Sequence, residues 1–97
     1  MVTEEVLAEF KERMHISHDE DKNLKRILSS SFVYLKNKCG KFDLSGKLDT
    51  DLMGKELVFE RARYAYNDAL EYFDTNFLSD INSLSFELLE GDDDAAI

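Results

Sequence analysis

The chain has 97 residues, of which 43% are hydrophobic, and a formal net charge of −9 at pH 7. This length fits one domain with a modest core, and the hydrophobic content excludes a wholly disordered chain. No apolar run approaches the roughly 20 residues that span a bilayer, and the acidic N-terminus lacks the basic region of a signal peptide, so we expect no membrane association. Proline is absent and strand-like alternation is scarce, which predicts an all-α fold.

The charge is distributed unevenly along the chain. All 12 basic residues lie within residues 1–70, whereas residues 71–97 contain acidic residues and no basic one. This pattern disfavours a nucleic-acid binding surface, which needs clustered lysine and arginine side chains. An acidic surface beside a DNA path would repel the backbone instead, and a solubilising tail is the alternative explanation.

Three main helices are predicted, over about residues 3–15, 18–39 and 54–75. Thr3 is the expected N-cap of the first helix, which carries an apolar stripe from Val6 to Met14. The second helix is predicted to start at a capping box formed by Ser17 and Glu20 and to end at Gly40. Its single cysteine, Cys39, cannot form an internal disulfide, which is typical of a protein made in a reducing compartment such as the cytoplasm.

The third helix is the predicted centre of the fold. One broad arc of this helix carries only apolar side chains, at Val58, Ala62, Ala65, Tyr66, Ala69, Leu70 and Phe73. Thr50 or Asp51 is expected to cap it, and Gly54 weakens its first turn. The segment before it, residues 41–51, is predicted to be an ordered loop with turn residues around Gly46.

The C-terminal segment is predicted to contain a short turn over residues 79–82 and then an extended tail. Leu84, Phe86 and Leu88 alternate with polar residues, which is the period of a strand. A lone strand is unstable, so it either returns to the helical bundle or lies against another chain. We expect one helical domain over residues 1–90 and a disordered acidic tail over residues 91–97.

No motif indicates catalysis. His15 and His18 lie three residues apart, but no third ligand is spaced to complete a metal site. Glu56 and Glu60 lie on a polar helix face beside Arg63, which favours surface ion pairing over an acid–base dyad. Phosphate loops, serine elbows and zinc–cysteine sets are missing from the sequence. We therefore expect no enzymatic activity, no catalytic or metal-binding residues and no cofactor.

Several stretches of the sequence resemble small phage head–tail connector (adaptor) proteins of the Gram-positive-phage type. These are VLAEFK at residues 6–11, ISHDEDKNL at 16–24, YLKNKCG at 34–40, ELVFERARYAYNDALEYF at 56–73 and NFLSDINSL at 76–84. The resemblance implies a helical protein that forms a ring, commonly of twelve copies, beneath the portal protein. Such a ring extends the channel through which DNA passes without specific binding, and it docks the next head-completion or tail component. It also implies a location at the head–tail interface of the virion after synthesis in the host cytoplasm.

A ring needs two different, complementary surfaces on each subunit, because head-to-tail contacts are heterologous. Apolar residues outside the main helical faces are the candidates for these surfaces. They are Phe42, Leu44 and Leu48 in the loop and Leu84, Phe86, Leu88 and Leu89 in the tail. The tail is expected to dock on a neighbouring subunit or on the portal, unless it folds back on its own bundle.

Two other classes of function fit the composition. One is an acidic regulatory or DNA-mimicking protein, whose carboxylates would imitate phosphates and occupy a basic partner. The concentration of acidic residues at one end of the chain counts against duplex-like rows of charge. The other class is a helical binding module unrelated to virions.

Overall fold

The computed structural model describes residues 2–96, with side chains described for residues 2–89. Within this part of the chain all regular secondary structure is helical, which confirms the all-α prediction. The elements are α1 (Glu4–Met14), α2 (Asp21–Cys39), α3 (Asp49–Tyr66), a 3-10 turn (Leu70–Tyr72), α4 (Phe73–Asn76) and α5 (Leu78–Ala96). Within the described residues, no helix is long and apolar enough to cross a membrane.

Helix α1 begins and ends as its sequence indicates. The Thr3 side chain accepts a hydrogen bond from the Val6 amide at 3.2 Å, which confirms Thr3 as the N-cap. At the other end His15 adopts a left-handed conformation, and the Ile16 amide donates to the Lys11 carbonyl at 2.9 Å. This is a Schellman ending, and it turns the apolar Ile16 back into the core.

Helix α2 starts three residues later than predicted. The predicted capping box between Ser17 and Glu20 is wrong, because Glu20 is itself the N-cap residue and makes no side-chain capping bond. The amide of Asp21 is bound instead by Asp19 Oδ1 at 3.2 Å. The Glu20 carboxylate is occupied elsewhere, by the hydroxyl of Tyr66 at 2.6 Å.

Helix α3 is displaced towards the N-terminus relative to the predicted range of 54–75. It ends at Tyr66, where Asp68 takes a left-handed conformation and the Ala69 amide donates to the Tyr64 carbonyl at 2.8 Å. Aspartate tolerates this conformation better than most residues, so a second Schellman ending interrupts the apolar arc predicted from the sequence. The chain then turns through α4, where Phe73 is buried.

Helix α5 replaces the predicted strand and extended tail. The predicted strand at residues 84–88 is wrong, because these residues lie within α5. Leu84 is fully buried, and Leu88 packs against the core beside Gly40, which ends α2 as predicted. The side chains of residues 91–97, the predicted acidic tail, are outside the part of the chain that the structure describes.

Helices α2 and α3 form the centre of the bundle, with α1 packed on one side and α5 on the other. The most deeply buried apolar side chains come from five elements and one loop: Phe10 in α1; Leu24, Leu28 and Leu35 in α2; Val58 and Phe59 in α3; Phe73 in α4; Ile81 and Leu84 in α5; and Leu44 in the loop. Surface ion pairs tie α1 to its neighbours, including Lys11 with Asp21 at 2.7 Å and Lys55 with Glu9 at 3.0 Å. Exposed pairs of this kind contribute at most about 1 kcal/mol each, so apolar burial dominates the stability.

Candidate functional site

The most concentrated group of titratable side chains lies where the α1–α2 connection meets the end of α3. The Tyr66 hydroxyl donates to Glu20 Oε2 at 2.6 Å, and His18 Nε2 contacts the same oxygen. The pKa of Glu20 is lowered, mainly by the hydrogen bond from Tyr66 and secondly by the one from His18. The hydrogen bond to Glu20 raises the pKa of Tyr66. The Tyr66 hydroxyl and the Glu20 carboxylate are hydrogen-bonded to each other, so this cluster joins the α1–α2 connection to the end of α3. Neither of these two side chains is left free to act as an acid or a base in a cleft.

The remaining polar groups give no sign of a metal or acid–base site in the part of the chain that the structure describes. No three histidine, cysteine, aspartate or glutamate side chains in that part are placed to hold a metal ion. Glu56 is bound by both terminal nitrogens of Arg13 at 2.7 and 2.8 Å, and Glu60 is bound by Arg63 at 2.6 Å. These two glutamates are therefore engaged in surface ion pairs, as the sequence predicts.

An exposed apolar stripe runs along α5, and we call it the α5 face. It consists of Leu78, Phe86 and Leu89, whose relative exposures are 54%, 59% and 58%. At about 100° per residue these three side chains fall within about 80° of arc, on a side of the helix different from that of the buried Ile81 and Leu84. The row therefore forms an exposed apolar surface on the single chain, and exposed apolar surfaces of this kind are common at protein–protein contacts.

The charged side chain beside the α5 face, among the residues whose side chains the structure describes, is negative. Glu87 lines the same surface depression as Leu78 and Phe86, and it forms no ion pair within the described residues. The sequence contains no lysine or arginine after Arg63. A partner of the α5 face is therefore favoured if it carries positive charge.

A second surface lies where the loop before α3 passes the end of α2, and we call it the Leu48 groove. It has a volume of about 520 Å³ and is lined by Phe32, Lys36, Lys41, Phe42, Asp43, Leu48 and Asp51. The rings of Phe32 and Phe42 meet edge to face, with centroids 5.3 Å apart. Leu48 is 69% exposed, and Lys36 Nζ lies 5.5 Å from the centroid of the Phe32 ring. The groove thus combines an aromatic floor with two lysines.

Asp51 holds this groove in shape. Its buried carboxylate accepts the backbone amides of Asp43 at 2.8 Å and Leu48 at 3.3 Å, so it caps α3 from within the first turn and binds the loop at the same time. Gly46 allows the close approach, because a Cβ there would lie 1.9 Å from Asp51 Oδ2. The sequence prediction that Thr50 or Asp51 is the N-cap of α3 is wrong, because Leu48 is the N-cap residue and Asp51 binds the Leu48 amide from within the first turn.

Gly54 makes room for the floor of the groove. A Cβ on this residue would lie 2.2 Å from Cδ2 of Phe42, well inside contact distance. The glycine that weakens the helix by propensity is therefore required by packing, because the Phe42 ring lies directly on the α3 backbone.

The seven predicted interface residues divide into two groups in the structure. Phe42, Leu44 and Leu84 are 7%, 2% and 0% exposed, so they are core residues of the single chain and offer little surface to a partner. Leu48, Phe86 and Leu89 are strongly exposed, and Leu88 is partly buried against the core. A single chain does not test the prediction that these residues contact another chain. Of the seven, Leu48, Phe86 and Leu89 are the ones whose side chains are strongly exposed to a partner.

The sequence reasoning missed several members of these surfaces. Leu78 belongs to the α5 face, and Leu52, 45% exposed, lies one helical turn from Leu48. The spacing of Phe77, Ile81, Leu84 and Leu88 repeats every three or four residues and could have revealed the helix. Reading that helix would have placed Leu78 in one row with Phe86 and Leu89.

Comparison of the chain with family models, with curated proteins and with solved structures finds no match. The likeness to head–tail connectors therefore rests on the sequence stretches quoted above.

Proposed function

We propose that this chain is a subunit of a phage head–tail connector, a ring beneath the portal protein that extends the DNA channel and docks the next head-completion or tail component. The observation that carries the proposal is the α5 face. Leu78, Phe86 and Leu89 remain exposed on a chain that already buries an apolar core. The expected role is therefore in assembly, with a compact body that supplies surfaces to other protein subunits.

The α5 face has the character of an interface centre. Full burial of a Leu or Phe side chain is worth about 1.5–3 kcal/mol, and aromatic residues are enriched among the residues that dominate binding energy. Phe86 is the strongest single candidate, because it is the largest member of the row and lies between Leu78 and Leu89.

The acidic C-terminal third of the sequence suits a protein beside moving DNA. Residues 71–97 carry no basic side chain that would bind a phosphate. Negative charge facing a channel repels the DNA backbone and favours passage without specific binding. The twelve-fold ring and the virion location are parts of the connector proposal that come from the resemblance. The body of three main helices is a prediction from the helical periodicity of the sequence.

The test is to mix the purified chain with the portal protein encoded by the same genome and to image the product by electron microscopy. We expect a ring of added density on the portal. Phe86→Ala is expected to remove it, whereas Val33→Ala, which truncates a 51% exposed residue of α2, is expected to leave it unchanged. A portal that gains no density from the unaltered chain contradicts the connector proposal.

Truncation of the C-terminal segment is a poor substitute for this variant. Leu84 is fully buried and Leu88 packs on the core, so a chain that ends before them loses stability as well as surface. Phe86→Ala removes exposed atoms and leaves those two residues in place.

A further inference from the structure

We infer that the α5 face of one copy binds the Leu48 groove of another copy, with Phe86 of the first against Phe32 and Leu48 of the second. The inference rests on the proposed function, since it names the contact between neighbouring subunits. It pairs the α5 face with the Leu48 groove.

The chain cannot make this contact with itself. Leu88 Cβ lies 3.4 Å from the position that a Cβ on Gly40 would take, so the Leu88 side of α5 faces the end of α2. Phe86 precedes Leu88 by two residues, which turns its side chain by about 200° to the other side of the helix. Its own groove is therefore out of reach, and another copy has to supply one.

The two surfaces are complementary in charge at the lysine edge of the groove. Lys36 and Lys41 line the groove, and neither forms an ion pair within the described residues. The two carboxylates that also line it, those of Asp43 and Asp51, accept backbone amides of the loop. Glu87 directly follows Phe86 and is likewise without an ion pair there. Docking of Phe86 in the groove brings this carboxylate towards the two lysines, and opposite charges at the edge of an apolar contact select the partner and speed its encounter.

The two surfaces are also complementary in shape and chemistry. A further aromatic ring finds a partner in the half-buried Phe32, whose edge-to-face contact with the buried Phe42 holds the Phe32 ring in place. Leu48, 69% exposed at the side of the groove, is covered by the same contact. Because each copy carries one of each surface, the contact is heterologous and repeats from copy to copy, as a ring requires.

Cysteine cross-linking between free copies tests the contact directly. In a Cys39→Ser background, one variant carries Asn82→Cys, which lies on the α5 face between Leu78 and Phe86 and leaves the Phe86 ring in place, and a second carries Leu48→Cys. Under mild oxidation the mixture is expected to give a covalent pair on a non-reducing gel. The matched control replaces Leu48→Cys by Val33→Cys, whose residue lies outside both surfaces and is expected to give little product. Equal yields from the two mixtures would overturn the inference.

Charge exchange gives an independent readout. Glu87→Lys added to the Asn82→Cys chain is expected to abolish the cross-link to an otherwise unaltered groove. The same chain is expected to regain it when the groove carries Lys36→Glu and Lys41→Glu. Failure to regain it would overturn the charge pairing.

The two proposals fail separately. A cross-link without portal-bound density keeps the contact between copies and removes the connector. Portal-bound density from a chain that gives no specific cross-link keeps the connector and removes this contact.

Discussion

Replacement of Gly54 by alanine is expected to destabilise the protein, against the usual effect of this change. In a helix, Gly→Ala normally adds about 1 kcal/mol of stability. Here the new Cβ would lie 2.2, 2.4 and 2.6 Å from three ring carbons of Phe42, so the ring has to move by more than about 1 Å to reach ordinary contact. Phe42 is 7% exposed and packs on Phe32, so the ring has little room to move.

The magnitude follows from two opposing effects. Overpacking of a core costs about 1–3 kcal/mol, and the gain in helix propensity offsets about 1 kcal/mol of it. We expect a net loss of up to about 2 kcal/mol, which lowers the melting temperature by about 4–8 °C for each kcal/mol in a chain of this size. Urea unfolding followed by circular dichroism measures the change in free energy.

A double-mutant cycle with Phe42→Ala isolates the cause. Phe42→Ala alone is expected to cost about 3–5 kcal/mol. In that background the ring is gone, so Gly54→Ala should become stabilising by about 1 kcal/mol. If Gly54→Ala stabilises the unaltered chain as well, the close packing of Phe42 on α3 is refuted.

Three further predictions concern polar contacts. Asp51→Ala should cost about 2–4 kcal/mol in urea unfolding, because it strands two backbone amides, whereas Asp51→Asn keeps one acceptor and should cost less; equal losses would contradict this account. The pKa of Glu20 is lower in the folded chain than its ordinary value of about 4.3, so its contribution is present above that pH and is lost as the pH falls through the lowered value. Tyr66→Phe should therefore reduce the dependence of stability on pH in the acid range, and an unchanged acid titration would argue against the bond. Arg13→Ala should cost less than about 1 kcal/mol, since Glu56 and Arg13 are exposed, and a loss that does not diminish in high salt would show that packing rather than charge is responsible.

The sequence predicted the fold class because helix signals depend mainly on local residue types. Thr3 as an N-cap and Gly40 as a helix end act through their own backbone and side-chain chemistry, and the structure places both as expected. The capping box of Ser17 and Glu20 failed because Tyr66, 46 residues from Glu20, binds the same carboxylate. A tertiary contact of this kind has no local signal.

The C-terminal segment shows why a strand was predicted where the structure has helix α5. Leu84, Phe86 and Leu88 satisfy a period of two, but Phe77, Ile81, Leu84 and Leu88 satisfy a helical period over a longer stretch. The segment folds as a helix, because the helical period places Ile81 and Leu84 on one side, where they are buried against α2 and α3. Phe86 and Leu89 are candidates from the sequence together with Leu84 and Leu88, because all four are apolar residues of the predicted tail, and only the helix separates the exposed pair from the pair that contacts the core.

The carboxylate of Asp51 has a consequence for the affinity of the proposed contact between copies. By fixing the amides of Asp43 and Leu48, it sets the conformation of the loop before any other molecule arrives. A receptor site that is already ordered loses little conformational entropy on association, so more of the contact energy is retained as affinity. A loosened loop would have to be organised at each encounter, and subunits would exchange more readily.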